Sequence, residues 1–175
     1  IDGKKYDAVL LKGEKKDAPK LKRLYNAWVE LKNGLKNFES RAPNLPEGIS
    51  EGAFSIEFDC PRVLDVKGTA ASYDCYNPKT HERIQIKATT IRYDLTSFGP
   101  DSVWDVLYLL DFYREGKFDG TYDVYKIPND LIYNHQISET QTFRDQQGQG
   151  RRPRFSIKRN IIEAHGIKPI KTCQI

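Results

Sequence analysis

ASYDCYNPKTHERIQIKATT, residues 71–90, decides how the middle of this chain folds. Its second half alternates Ile84, Ile86 and Ala88 with Gln85, Lys87 and Thr89, the period-two pattern of a half-buried strand. That alternation projects the Gln85 amide and the Lys87 ammonium from one face. Asn77-Pro78-Lys79-Thr80-His81 is turn-forming, so the two runs on either side are read as a hairpin. In that hairpin Asp74 lies close to opposite Gln85. A carboxylate, an amide oxygen and a lysine then share one small patch. Oxygen ligands suit a hard divalent cation, and a phosphodiester under attack needs such a cation with a positive charge nearby.

Outward from this hairpin the pattern is mixed. Upstream, Leu21, Leu24, Tyr25, Trp28, Leu31 and Leu35 recur at helical spacing, so 19–39 is predicted as a helix with Pro19 in its first turn and Trp28 as a core anchor. Pro46 opens a second, shorter helix through EGISEGAF, on which Glu47 and Glu51 share a face. The simplest role for those two acids is to complement the positive N-terminal end of that helix. VLDVKG reads as a strand. Downstream, YDLTSFGP is a loop broken by Gly99-Pro100. SVWDVLYLLDFY and GTYDVYKI flank REGKFDG, whose Gly116 and Gly120 predict a hairpin or ribbon at the sheet's edge. Asp111, Asp119 and Asp123 are read as turn and strand-face acids rather than a second metal site. PNDLIYN is a short helix or turn.

ETQTFRDQQGQGRRPRF has no apolar period and is read as a loop. Gln146, Gln147 and Gln149 carry amides able to pair with adenine or other base edges. Arg151, Arg152 and Arg154 carry forked guanidiniums suited to guanine and to phosphates. The bland alternative is a flexible surface loop with incidental arginines. Ser156 reads as the N-cap of IKRNIIEAHG, with Arg159 outward, Ile157, Ile161 and Ile162 buried, and Gly166 closing the helix. Lys158 and Arg159, on the helix, are expected to meet backbone phosphates.

The chain of 175 residues carries a formal net charge of +4, unevenly spread, with Lys and Arg crowded into the first forty residues and into 144–171. The first cluster mixes with Glu14 and Asp17 as an ordinary surface does. Three cysteines (Cys60, Cys75, Cys173) are odd in number and widely spaced, which fits neither a disulfide framework nor a structural zinc site. A reduced, cytoplasmic interior fits best. His81, His135 and His165 sit at unrelated spacings. No apolar run approaches a membrane span, so no membrane partner is expected.

Asp74, Gln85 and Lys87 resemble the active-site signature of the PD-(D/E)XK nuclease superfamily, in the variant where glutamine replaces the second acid. IQIKATT, DLTSFGP, YDVYKIP and GRRPRFSIKRNIIE are similar to small type II restriction endonucleases of that superfamily, over most of the chain from about Asn44 onward. Two departures stand out: Gln85 is a neutral ligand, and Asp74 follows a tyrosine rather than a proline. The resemblance implies an α/β (α+β) fold with a central mixed β-sheet flanked by helices. It implies one nuclease domain over 1–175, with an N-terminal helical region (1–45), a catalytic core (46–135) and a basic DNA-reading loop with C-terminal helix (136–175).

The same resemblance implies Mg²⁺ held by Asp74, Gln85 and the Ile86 backbone carbonyl, with Lys87 as electrostatic stabiliser. Related endonucleases often add a glutamate from the helix before the hairpin, a place that Glu51 matches and Glu47 fills as fallback. The implied partners are double-stranded DNA, cut at a short G·C-containing palindrome, and a second copy in a homodimer, inside a prokaryotic cell. Two other classes stay open. One is a structure-specific repair or junction nuclease of the same superfamily; the other is a catalytically silent duplex-DNA-binding module.

Overall fold

The computed structural model describes Ile1 and residues 3–175. Helix α1 (Ala18–Lys36) starts with Pro19 in its first turn and ends before Glu39, which adopts a left-handed φ of 53°. Its buried stripe is Tyr25, Trp28 and Lys32, with Leu21 packed alongside; Leu24 and Leu31, counted in the periodic set, face solvent. Lys32 holds its place because its ammonium lies 3.4 Å from the Phe118 ring centroid and 5.9 Å from that of Trp28, a cation–π seat on an otherwise apolar face. Trp28 is a core anchor, and its Nε1–H donates to the carbonyls of Pro43 (3.1 Å) and Asn44 (3.2 Å). Those bonds fix the loop that leads into α2 (Glu47–Phe58), which runs one turn beyond the expected stretch.

Among the described residues, seven strands form one mixed sheet. They are β1 (Ala8–Leu11), β2 (Arg62–Val66), β3 (Cys75–Asn77), β4 (Glu82–Thr89), β6 (Val106–Asp111), β7 (Thr121–Ile127) and β11 (Lys171–Gln174), adjacent in that order. β3 and β4 are the antiparallel hairpin, with Cys75 opposite Ile84. β4 and β6 are parallel, pairing Gln85 with Leu107 and Lys87 with Leu109. Parallel neighbours need a crossover rather than a tight turn. Residues 90–105 provide it and carry the short strand β5 (Thr96–Ser97) over one face of the sheet.

Two sequence readings change here. β4 is not half-buried: Gln85 is 4% exposed against 2% for Ile84 and 5% for Ile86. The parallel partner β6 makes β4 an interior strand covered on both faces, which a period-two pattern alone does not reveal. The β6–β7 hairpin is also not at the edge, because β11 pairs with β7 and leaves β1 and β11 as the outer strands. Its turn does use glycines, with φ of 83° at Gly116 and 87° at Gly120.

The two faces carry separate cores. On one, α1 and α2 set Tyr25, Trp28, Ile49, Ala53 and Phe54 against Ile84, Ile86 and Leu110. On the other, Leu107, Leu109 and Ile127 pack beneath Phe98, Trp104, Phe143, Phe155 and Ile161. The second cover is built from α3 (Asn129–Tyr133), the ribbon β8–β9 (Gln136–Ser138, Gln141–Thr142), α4 (Phe143–Gly148), β10 (Arg154–Phe155) and a π-helical segment (Lys158–Glu163). β10 pairs with β5 in the crossover. No helix of the described residues is long and apolar enough to cross a membrane.

The stretch read as a loop, 139–155, is therefore largely structured. Thr142 caps α4 by accepting from the Asp145 N–H, while Asp145 accepts from the Thr142 N–H at 2.8 Å. This Thr-x-x-Asp box is the local signal that an apolar-period search passes over, since α4 buries only Phe143 and Gln146. Ser156 Oγ accepts from the Arg159 N–H at 3.3 Å, as an N-cap does, but the helix that follows is π-wound.

Candidate active site

β3 ends just after Asp74 when followed back along the chain, and this leaves one side of β4 without a strand neighbour beyond Ile84. The Asp74 side chain fills the first gap. Its Oδ2 accepts the Ile86 N–H at 2.6 Å and the Gln85 Nε2–H, taking the place of a strand carbonyl. In an extended strand the Ile86 carbonyl points to the same side as its N–H, into the same opening. Beyond it lies a cavity of about 270 Å³ lined by Glu47, Glu51, Asp74, Gln85, Ile86, Lys87 and Asp94 among others. The hairpin reading thus brings together Asp74, Gln85, Ile86 and Lys87, and α2 adds Glu51 and its fallback Glu47. Asp94, in the crossover, was not anticipated: it carries no motif and reaches the cavity only through the path of residues 90–105.

Charge in this cavity is expensive to hold. Burial pushes the Glu51 carboxyl up to about 7, with Asp74 adding to the rise and Arg62 opposing it. Burial also pushes Asp74 up to about 6, against the Ile86 N–H and Lys87. Lys87 is shifted the other way: burial lowers its pKa, Asp74 and Glu51 resist, and the Arg152 guanidinium reinforces the drop. Glu51 is not idle. Arg62 of β2 donates twice to its Oε2, from Nε at 2.8 Å and Nη2 at 2.7 Å.

The donor set fits a hard cation. Gln85 Oε1 is buried without a hydrogen-bond partner among the described residues, an acceptor that normally demands one. The raised carboxyls beside it are the groups that a positive ion would hold ionised. Carboxylates alone do not suffice: among the described residues no three His, Cys, Asp or Glu side chains are grouped to hold a metal ion. A cation here needs the Gln85 amide oxygen and backbone.

The raised Glu51 pKa has a consequence for stability. A carboxyl whose folded pKa lies above its unfolded value destabilises the fold as pH climbs through that interval, here from 4.5 to about 7. Glu51→Gln is expected to raise unfolding free energy in chelator by up to about 3 kcal/mol at pH 8 and by nothing below about pH 4. Thermal denaturation at the two pH values checks it; equal stability of variant and wild type at pH 8 would refute it.

The segment expected to read DNA is divided by the structure. Gln146 is buried and its Nε2 reaches Gln141; Gln147 Nε2 donates to the carbonyls of Gly99 (3.4 Å) and Ser102 (3.1 Å); Gln149 accepts from Gln141 at 3.1 Å. These three amides bind the segment to itself and to the crossover. Arg151, Arg152, Arg154 and Arg159 are exposed, although Arg151 also donates to Gln141 at 2.9 Å. Lys158 differs, because its ammonium is committed to the buried carboxylate of Asp111.

A family model for Bsp6I restriction endonucleases matches residues 13–164. The chain belongs to the Bsp6I restriction endonuclease family. The type II restriction enzyme Bsp6I of Bacillus sp. (strain RFL6) is 38% identical to it over 160 residues, covering 87% of this chain and 85% of that one. No solved structure matches it. In this family member the match spans both the β3–β4 hairpin and the arginine-bearing segment.

Proposed function

We propose that this chain hydrolyses phosphodiester bonds in double-stranded DNA at a short, G·C-containing palindromic site, with Mg²⁺ as cofactor, acting as a homodimer in the cytoplasm of its host. The observation that carries the reading is the cavity where Asp74, Lys87 and the unpartnered Gln85 Oε1 meet. Asp74 Oδ1, Gln85 Oε1 and the Ile86 carbonyl would hold the cation, with Glu51 at the margin. When bound, Mg²⁺ supplies a Lewis acid beside the phosphate and neutralises charge that gathers there.

The protein groups do the rest. As water adds to phosphorus and the ester oxygen leaves, negative charge grows on the phosphoryl oxygens. Lys87 brings a partly desolvated positive charge to that place, where it acts more strongly than in water. The Ile86 N–H and Gln85 Nε2 fix the Asp74 carboxylate before DNA arrives, so little reorganisation remains. A single site of this kind cuts one strand, and a two-fold dimer matches a palindrome with two. Digestion of plasmid DNA with and without Mg²⁺ tests the reading. Discrete bands with Mg²⁺ support it; a smear, cutting at branches only, or intact DNA would overturn it.

Base reading is assigned to the exposed arginines. At least one of Arg151→Ala, Arg152→Ala and Arg154→Ala is expected to cost about 1–3 kcal/mol of cognate affinity and to relax discrimination. Arg159→Ala should weaken cognate and mismatched duplexes alike and reduce the salt slope by about one. Affinities in Ca²⁺ at several salt concentrations decide it. Four variants that bind like wild type would move the reading surface elsewhere.

A further inference from the structure

Phe98 lies in the crossover between the parallel strands and is wholly buried. One neighbour is unusual for a core ring: the Lys87 ammonium sits 5.1 Å from its centroid. The register explains the meeting. Gln85 and Lys87 point to the same face as Leu107 and Leu109, and the crossover passes over that face. Other neighbours come from the arginine-bearing segment. Phe143, which opens α4, meets Phe98 edge-on at 4.9 Å, and Phe155, which ends β10, stacks on it at 5.7 Å and 12°. The Phe98 N–H donates to the Pro153 carbonyl at 3.2 Å, and β5 just before it pairs with β10, Ser97 opposite Arg154. Both ends of the segment 143–155 are thus seated on the ring that touches Lys87.

A burial argument alone does not require an aromatic residue here. Leucine would fill an apolar core, but it offers no negative ring face to an ammonium that has been drawn out of water. Asp74 and Glu51 pull the same ammonium toward the cavity by charge. The ring supplies a second, directional hold.

We propose that Phe98 is a positioning residue: its ring holds the Lys87 ammonium at the cavity and ties that placement to the arginine-bearing segment. The inference rests on Lys87 acting in cleavage as proposed above. A duplex engaged by Arg151, Arg152 and Arg154 then bears on the same ring that sets the lysine, so reading and cutting share one contact.

The test replaces Phe98 with 4-fluoro-, 3,5-difluoro- and 3,4,5-trifluorophenylalanine, which progressively weaken the ring face while nearly preserving its volume. Single-site cleavage by each variant is measured for kcat and KM, alongside cognate affinity in Ca²⁺ and thermal stability. The expected result is a stepwise loss of kcat reaching between about 3-fold and 30-fold, with KM and Ca²⁺ affinity unchanged and the variants fully folded at the assay temperature. An unchanged kcat across the series, or a fall in kcat that is accounted for by the unfolded fraction, overturns the proposal. Lys87→Ala separates the two levels. If it cleaves like wild type, the catalytic reading itself fails; if it is inactive while fluorination has no effect, only the role of Phe98 falls.

Discussion

Asp74→Ala is expected to lower the cleavage rate by about three orders of magnitude or more, while cognate affinity measured in Ca²⁺ stays within a few-fold of wild type. The residue lines the cavity beside Gln85 and Lys87, so on the proposed reading its loss bears on the reacting phosphate and not on base reading. The substitution also strips an acceptor from the Ile86 N–H and from Gln85 Nε2. Leaving such donors buried and unpaired costs about 1–3 kcal/mol, partly offset because the carboxyl itself is held against its pKa. Asp74→Asn keeps an acceptor for Ile86 and guards against misreading a folding defect as a catalytic one. Lys87→Ala belongs in the same experiment, with a comparable loss of rate and intact binding. Cleavage within tenfold of wild type by both Asp74 variants would remove the assignment.

Lys158→Ala is expected to destabilise the protein by about 3–5 kcal/mol, because it abandons a buried carboxylate. The Asp111 side chain is 3% exposed, and its other oxygen accepts the Tyr113 N–H at 2.9 Å. Replacing both partners, Asp111→Asn with Lys158→Met, should recover most of that loss, since neither then leaves a charge in the core. Urea unfolding of the single and double variants measures the coupling. A single variant as stable as wild type would show that water reaches Asp111 and that the pair holds little. The ion pair commits the Lys158 ammonium to Asp111 and joins the π-helical segment to the end of β6.

The difference between Lys158 and its exposed neighbours shows where sequence reading stops. A lysine in a basic run looks like surface, and only the meeting of the C-terminal segment with β6 reveals its acidic partner. The hairpin of 71–90 was legible because its determinants are local: a turn-forming linker, a period of two, and a register that puts Asp74 opposite Gln85. Helix α2 was legible from Pro46 and its spacing, whereas the approach of Glu51 and Glu47 to the cavity was implied by the resemblance to restriction endonucleases. Cap chemistry was present for α4, in Thr142 and Asp145, yet hidden from a search for apolar periods because so little of that helix is buried.

What the sequence by itself determined through short-range pattern is therefore the hairpin that groups Asp74, Gln85, Ile86 and Lys87, while the family and the mixed sheet with helices on its faces were implied by the resemblance to restriction endonucleases. Tertiary structure alone decided the parallel pairing of β4 with β6, the addition of β11 outside β7, and the crossover that brings Asp94 to the cavity and Phe98 over Lys87. The physical reason is range. Turns, caps and alternation depend on residues a few positions apart, whereas strand neighbours, buried ion pairs such as Lys158–Asp111 and ring contacts such as Phe98–Phe155 form between segments whose proximity exists only once the chain has closed.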